Sequence, residues 1–156
     1  MKRREILKTS SGLGLLAAAV AAGWISPGRA WAQQWDKAVF DSKTVKEAIT
    51  AMGAGIPAES KNVVFVNPTP EIAENGAVVP ITVRSDLPKT QSISILIEKN
   101  PNTVAASFDV PEGTEPFIST RVKMAETSNV VALVKADGKY YFARKEVKVT
   151  LGGCGG

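Results

Sequence analysis

Val130-Val131-Ala132-Leu133-Val134-Lys135-Ala136-Asp137-Gly138-Lys139-Tyr140-Tyr141-Phe142 joins two β-prone runs through an Asp-Gly pair. Asp and Gly tolerate positive φ, and a two-residue turn of that kind matches the twist of paired strands, so the spacing predicts a tight type I′ hairpin. The same texture extends towards both termini. Short segments rich in Val, Ile, Thr and Phe recur at 62–66, 77–84, 92–98, 104–110, 117–125, 130–135 and 140–149. Asn67-Pro68, Leu87-Pro88, Asn100-Pro101 and Pro111-Glu112-Gly113 punctuate them. In the third segment Ile93, Ile95 and Ile97 alternate with Ser92, Ser94, Leu96 and Glu98, which predicts one dry face and one mostly wetter face. Seven strands with frequent turns predict an all-β fold, an immunoglobulin-like antiparallel β-sandwich. Pro80 inside a strand run predicts an edge position or a bulge.

One helical stretch precedes the strands. Thr44 can cap, Glu47 follows three residues later, and Val45, Ala48, Ile49 and Met52 fall on one stripe. The pattern stops at Gly53 and Gly55 before Pro57, so it predicts one short N-terminal helix packed on its own domain.

The first residues read as an address. Arg3-Arg4-Glu5-Ile6-Leu7-Lys8 is a twin-arginine pattern, the run from Leu13 to Ile25 is apolar and alanine-rich, and Ala30-Trp31-Ala32 supplies a small-x-small cleavage site. Arg3 and Arg4 therefore mark residues 1–32 as a signal peptide, and the expected location is the periplasm, reached by the twin-arginine pathway with no membrane attachment after cleavage. The predicted domains are the signal at 1–32, a sandwich at 33–150 and a carrier arm at 151–156. Removing the signal takes away five of nineteen basic side chains and one of fifteen acidic ones, leaving fourteen of each. A neutral mature chain gives no reason to expect a nucleic acid or an anionic membrane as partner. Its 124 residues suffice for one hydrophobic core.

The segment Gly152-Gly153-Cys154-Gly155-Gly156 holds the sole cysteine between two glycine pairs. Glycine has no side chain to pack and much backbone freedom to lose, so the reading expects Gly152, Gly153, Gly155 and Gly156 to form a flexible arm that presents the thiol of Cys154. From Thr150 to Cys154 the arm spans roughly 13 Å at about 3.3 Å per residue. A free cysteine has a pKa of about 8.5 and is mostly thiol at neutral pH, so activation is expected from a protein that receives the arm. The chain has no histidine and no second cysteine, which removes the commonest general base, the commonest metal ligand and any CxxC redox pair. No catalytic residue, resident metal or cofactor is expected. Carboxylates Asp109, Glu112 and Glu115 read as solvated loop charge.

Three other functions fit parts of this pattern. An exported β-sandwich could dimerise through an intermolecular disulfide at Cys154. A ubiquitin-like carrier would use the carboxylate of Gly156, a chemistry that needs ATP. An adhesion or ligand-binding sandwich would leave the tail incidental.

Taken together, the twin-arginine signal, the small β-rich domain, Ile95-Leu96-Ile97-Glu98-Lys99-Asn100-Pro101 and the Gly-Gly-Cys-Gly-Gly segment resemble the SoxY family, sulfur carriers of bacterial Sox thiosulfate oxidation. The resemblance implies an immunoglobulin-like domain paired as a heterodimer with a second β-sandwich subunit, SoxZ, and sulfur intermediates bound covalently at Cys154. It further implies that a c-type haem enzyme couples thiosulfate to the thiol, that a dimanganese hydrolase releases sulfate, and that a sulfane dehydrogenase, where present, oxidises the remaining persulfide sulfur. The haem and metals belong to those partners. Trp35 and Phe40, together with exposed β edges, are candidate contacts for the second subunit, and the two aromatics fit a core role equally well.

Overall fold

A computed structural model describes residues 36–153, so the expected signal with Arg3 and Arg4, the aromatic Trp35, and Cys154, Gly155 and Gly156 lie outside the described residues. The described residues begin with two short helices, α1 (Lys37–Phe40) and α2 (Val45–Ala51). Sequence reading anticipates the second. Thr44 caps it by accepting from the Glu47 amide at 3.2 Å, and the Glu47 carboxylate accepts from the Lys43 amide at 2.9 Å. The first bond satisfies a first-turn amide that has no intrahelical acceptor, and the second satisfies the amide of the residue before the cap. Replacing Thr44 with Ala should lower unfolding stability by about 1 kcal/mol in chemical denaturation, with an unchanged dependence on denaturant concentration. The first helix carries no periodic signal in four residues; Asp36 makes it by accepting from the amides of Ala38 and Val39.

Nine strands follow among the described residues: β1 (Ala58–Glu59), β2 (Val63–Phe65), β3 (Ile72–Asn75), β4 (Val79–Ser85), β5 (Thr90–Ile97), β6 (Val104–Asp109), β7 (Phe117–Val122), β8 (Ser128–Ala136) and β9 (Lys139–Leu151). Seven correspond to the expected segments, while β1 and β3 are additional short strands. The larger sheet runs β1-β9-β8-β5-β6, with β3 also on β9, and the smaller runs β2-β4-β7. All pairings are antiparallel except those of β1 and β3, which lie parallel to successive parts of β9. This is the expected immunoglobulin-like sandwich.

Asp137 and Gly138 have φ of 49° and 73°, and Ala136 pairs with Lys139 across them. Both turn residues thus adopt the left-handed conformations that a type I′ hairpin requires. Pro80 lies on the middle strand of the small sheet, opposite Arg121 of β7. Pairing of β2 with β4 covers only Val83 to Ser85, so β4 is a local edge where the proline sits.

The main core fills the space between the sheets. Ile93, Ile95 and Ile97 of β5, Val130, Ala132 and Val134 of β8 and Val147 of β9 face Val63, Val79, Ile81, Val83 and Val122 of the small sheet. The other face of β5 departs from the expected wetter surface. Leu96 is fully buried and Ser94 nearly so, because both helices cover that side of the large sheet. Val39 and Ala48 pack there with Leu96, Val104, Val131 and Leu133, and Ser94 shares a 2.8 Å hydrogen bond with Ser107. Phe40 packs against this second cluster as a partly buried core residue. The Tyr140 hydroxyl donates to the Met52 carbonyl at 2.9 Å, tying the end of α2 to β9.

Candidate functional site

With thirteen residues β9 is the longest strand among the described residues, and its end leads into the segment that precedes Cys154. Pairing with β8 stops at Val147, opposite Ser128, so the rest of β9 needs other backbone partners. β3 supplies them on one side. Ile72, Ala73 and Asn75 pair in parallel with Lys148, Val149 and Leu151, the Lys148 amide donates to the Glu71 carbonyl at 2.9 Å, and the Gly76 amide donates to the Leu151 carbonyl at 2.7 Å. On the other side the Thr127 hydroxyl accepts from the Val149 amide at 2.9 Å. The Thr150 hydroxyl donates to the Glu74 carbonyl at 2.8 Å.

Beyond Leu151 the chain continues along the body of the protein. Gly153 donates its amide to the Met124 carbonyl at 2.8 Å, and the Met124 amide donates to the Gly76 carbonyl at 2.7 Å. Met124 therefore bridges Gly76 and Gly153 through its two backbone groups, while its fully buried side chain is part of the main core. Asn100 holds the flanks of this residue. Its amide donates to the Lys123 carbonyl at 2.7 Å and its carbonyl accepts from the Ala125 amide at 3.0 Å. The side-chain amide thus presents one acceptor and one donor to the chain, as a neighbouring strand would.

Three glycines at this crossing are explained by close approach. A Cβ on Gly76 would overlap the Met124 carbonyl oxygen and stand 2.8 Å from the Gly153 nitrogen and 2.9 Å from Val149 Cγ1. One on Gly152 would overlap the Ala125 carbonyl, and one on Gly153 would overlap the backbone of Gly76 and Ala77. Of the expected arm, Gly152 and Gly153 are thus placed against the sandwich, and Gly153 is hydrogen-bonded there. Sequence reading assigned no role to Gly76 or Met124 and took Asn100 as a turn residue before proline. The turn signature Asn75-Gly76 is legible, but nothing local to residues 100, 124 and 153 says that they meet.

Fold and site together define a class: a small immunoglobulin-like β-sandwich whose longest described strand is followed in sequence by a glycine-flanked cysteine. The family profile described as sulfur oxidation protein SoxY matches residues 48–154, a span that includes Cys154. Among solved structures, the sulfur carrier protein SoxY from Chlorobium limicola f thiosulfatophilum is 43% identical, with a TM-score of 0.62, and the match covers 69% of this chain and 97% of that one. The superoxide reductase (neelaredoxin) from Ignicoccus hospitalis, at 17% identity, a TM-score of 0.50 and coverage of 65% and 86%, is similar in fold alone. Comparison with proteins of curated function gives no significant match. The chain belongs to the SoxY family. A role as a sulfur carrier in Sox sulfur oxidation goes with that membership.

Proposed function

We propose that Cys154 is the covalent attachment point for sulfur intermediates of thiosulfate oxidation and that the protein presents them to successive enzymes without catalysing the steps itself. The observation that carries this reading is the family match running through the sole cysteine, which follows a strand extended beyond its pairing with β8. In the first step a c-type haem enzyme removes two electrons and one proton as the thiol sulfur bonds to the sulfane sulfur of thiosulfate, giving a cysteine S-thiosulfonate. A dimanganese hydrolase then adds water across the bond to the sulfonate group, releasing sulfate and leaving a persulfide on Cys154. Where present, a sulfane dehydrogenase oxidises that outer sulfur.

The setting we propose is the periplasm, entered through the twin-arginine signal at Arg3 and Arg4, with a SoxZ-type sandwich as heterodimer partner. A domain for which no cofactor is expected gains from an export route for folded proteins if it leaves the cytoplasm already paired, so we further propose that it carries a signal-less partner with it. A signal peptide on the partner subunit would refute that route.

Mass spectrometry of the peptide containing Cys154, taken from cells given thiosulfate, tests the assignment. Thiosulfonate or persulfide adducts on Cys154 are the expected result. Sulfur placed on Gly156 would instead support a thiocarboxylate carrier, and an unmodified peptide during turnover would overturn the reading.

A further inference from the structure

We propose that Asn100, Met124 and Gly76 are positioning residues for the carrier thiol: they fasten the root of the arm at Gly153, so the thiol is offered from a defined point on the rim of the sandwich. The inference rests on the carrier reading above for its functional meaning and on the described residues for its geometry. Gly153 is the residue before Cys154, so whatever conformation the cysteine takes, its Cα lies about 3.8 Å from that of Gly153. Where Gly153 is held, the thiol is held to within a side chain's length of the same place.

The clamp has three layers. The buried side chain of Met124 anchors its own backbone to the core. Asn100 fixes the backbone on either side of Met124 through the Lys123 carbonyl and the Ala125 amide, at 2.7 and 3.0 Å. The Met124 carbonyl then receives the Gly153 amide at 2.8 Å, while Gly76 joins the Met124 amide to the Leu151 carbonyl. The three backbones approach so closely that a methyl group at position 76, 152 or 153 would overlap a neighbour's main chain. Gly76 and Gly153 each lie at a negative or extended φ that alanine also adopts, so a methyl group there acts by collision rather than by backbone strain.

This arrangement gives the arm two reaches. With the root docked, the reach of Cys154 is measured from its bonded neighbour Gly153; with the root released, it is measured from Thr150, a span of roughly 13 Å. Two backbone hydrogen bonds, from the Gly153 amide to Met124 and from the Gly76 amide to Leu151, and the contacts of two glycines separate these states, a barrier of about 1–3 kcal/mol for a receiving enzyme to overcome. Preorganisation of the docked root lowers the ordering entropy that a partner must supply on binding.

The test is amide hydrogen exchange of Gly153, followed by NMR on the reduced full-length mature protein and on Asn100→Ala, Gly76→Ala and Gly153→Ala, with circular dichroism to establish that each variant is folded. In the wild type the Gly153 amide should exchange roughly tenfold or more slowly than in the urea-unfolded chain, and Asn100→Ala and Gly76→Ala should abolish most of that protection. Exchange at the unfolded rate in the wild type, or unchanged protection in both variants, overturns the proposal. Should the glycine variant fail to fold, Asn100→Ala still decides.

A merely structural role is separated by kinetics of thiosulfate coupling to Cys154. Asn100→Ala and Gly153→Ala should raise the KM for the carrier by roughly three- to tenfold and leave kcat within about twofold. An unchanged KM, with Gly153 protection lost, would remove the positioning role. If Cys154 takes up no thiosulfate at all, the carrier reading fails, while Gly153 exchange continues to report on the clamp independently.

Discussion

Replacing Cys154 with Ser should reduce thiosulfate oxidation by the reconstituted system to the level measured without the carrier, while the melting temperature stays within about a degree of the wild type. The chemical reason is that each intermediate is held by a sulfur–sulfur bond to the protein, and a serine hydroxyl offers neither the nucleophilicity of a thiolate nor a bond to sulfur that survives transfer. The structural reason is that the two hydrophobic clusters of the sandwich are built from residues 39–149. A carrier therefore loses everything at constant fold. Retention of activity would sink the covalent assignment and favour a sandwich whose tail is incidental. A disulfide-linked dimer is separated by intact mass measured with and without reductant: doubling of mass that vanishes on reduction, together with unchanged activity in the serine variant, is its signature.

The second large effect is expected at Ile95, where substitution by Ala should destabilise the fold by about 4 kcal/mol, near the upper end of the range for large-to-small core changes. Ile95 is completely buried between the sheets. Its row across the large sheet reads Ala106 on β6, Ile95 on β5, Ala132 on β8 and Ala143 on β9. Every lateral neighbour is thus a methyl group, and none can swing over to fill the space. The row through Ile93 differs, since Phe108, Val134 and Tyr141 flank it. The cost of a core truncation depends on how far the surroundings collapse, so Ile93→Ala should be milder by about 1 kcal/mol. Equal losses at the two positions in urea denaturation would show that lateral neighbours do not govern the collapse.

Much of the architecture was legible because strands and hairpins are written in local chemistry. The Asp137-Gly138 turn requires positive φ at two successive residues, and few sequences supply that at low strain. Thr44 and Glu47 announce the start of α2 through groups only three residues apart. The short strands β1 and β3 were not legible, because Ala58–Glu59 and Ile72–Asn75 have little period of their own. Each exists because β9 is long enough to offer an unpaired edge. Leu96 and Ser94 show the same limit from another direction. Alternation says which side chains share a face, whereas the burial of that face depends on helices arriving from residues 37–51.

Within the candidate site, composition and residue order alone determined that there is one thiol, that glycines flank it, and that no histidine or second cysteine accompanies it. Those are properties of the covalent chain and hold in any conformation. The tertiary structure decided what the first glycine pair is against. A missing Cβ serves backbone freedom and close backbone approach equally well, so sequence cannot tell one use from the other. Gly76, Asn100, Met124 and Gly153 are distant along the chain, and their meeting is fixed only when β9 outruns β8 and lays its end between β3 and the segment held by Asn100.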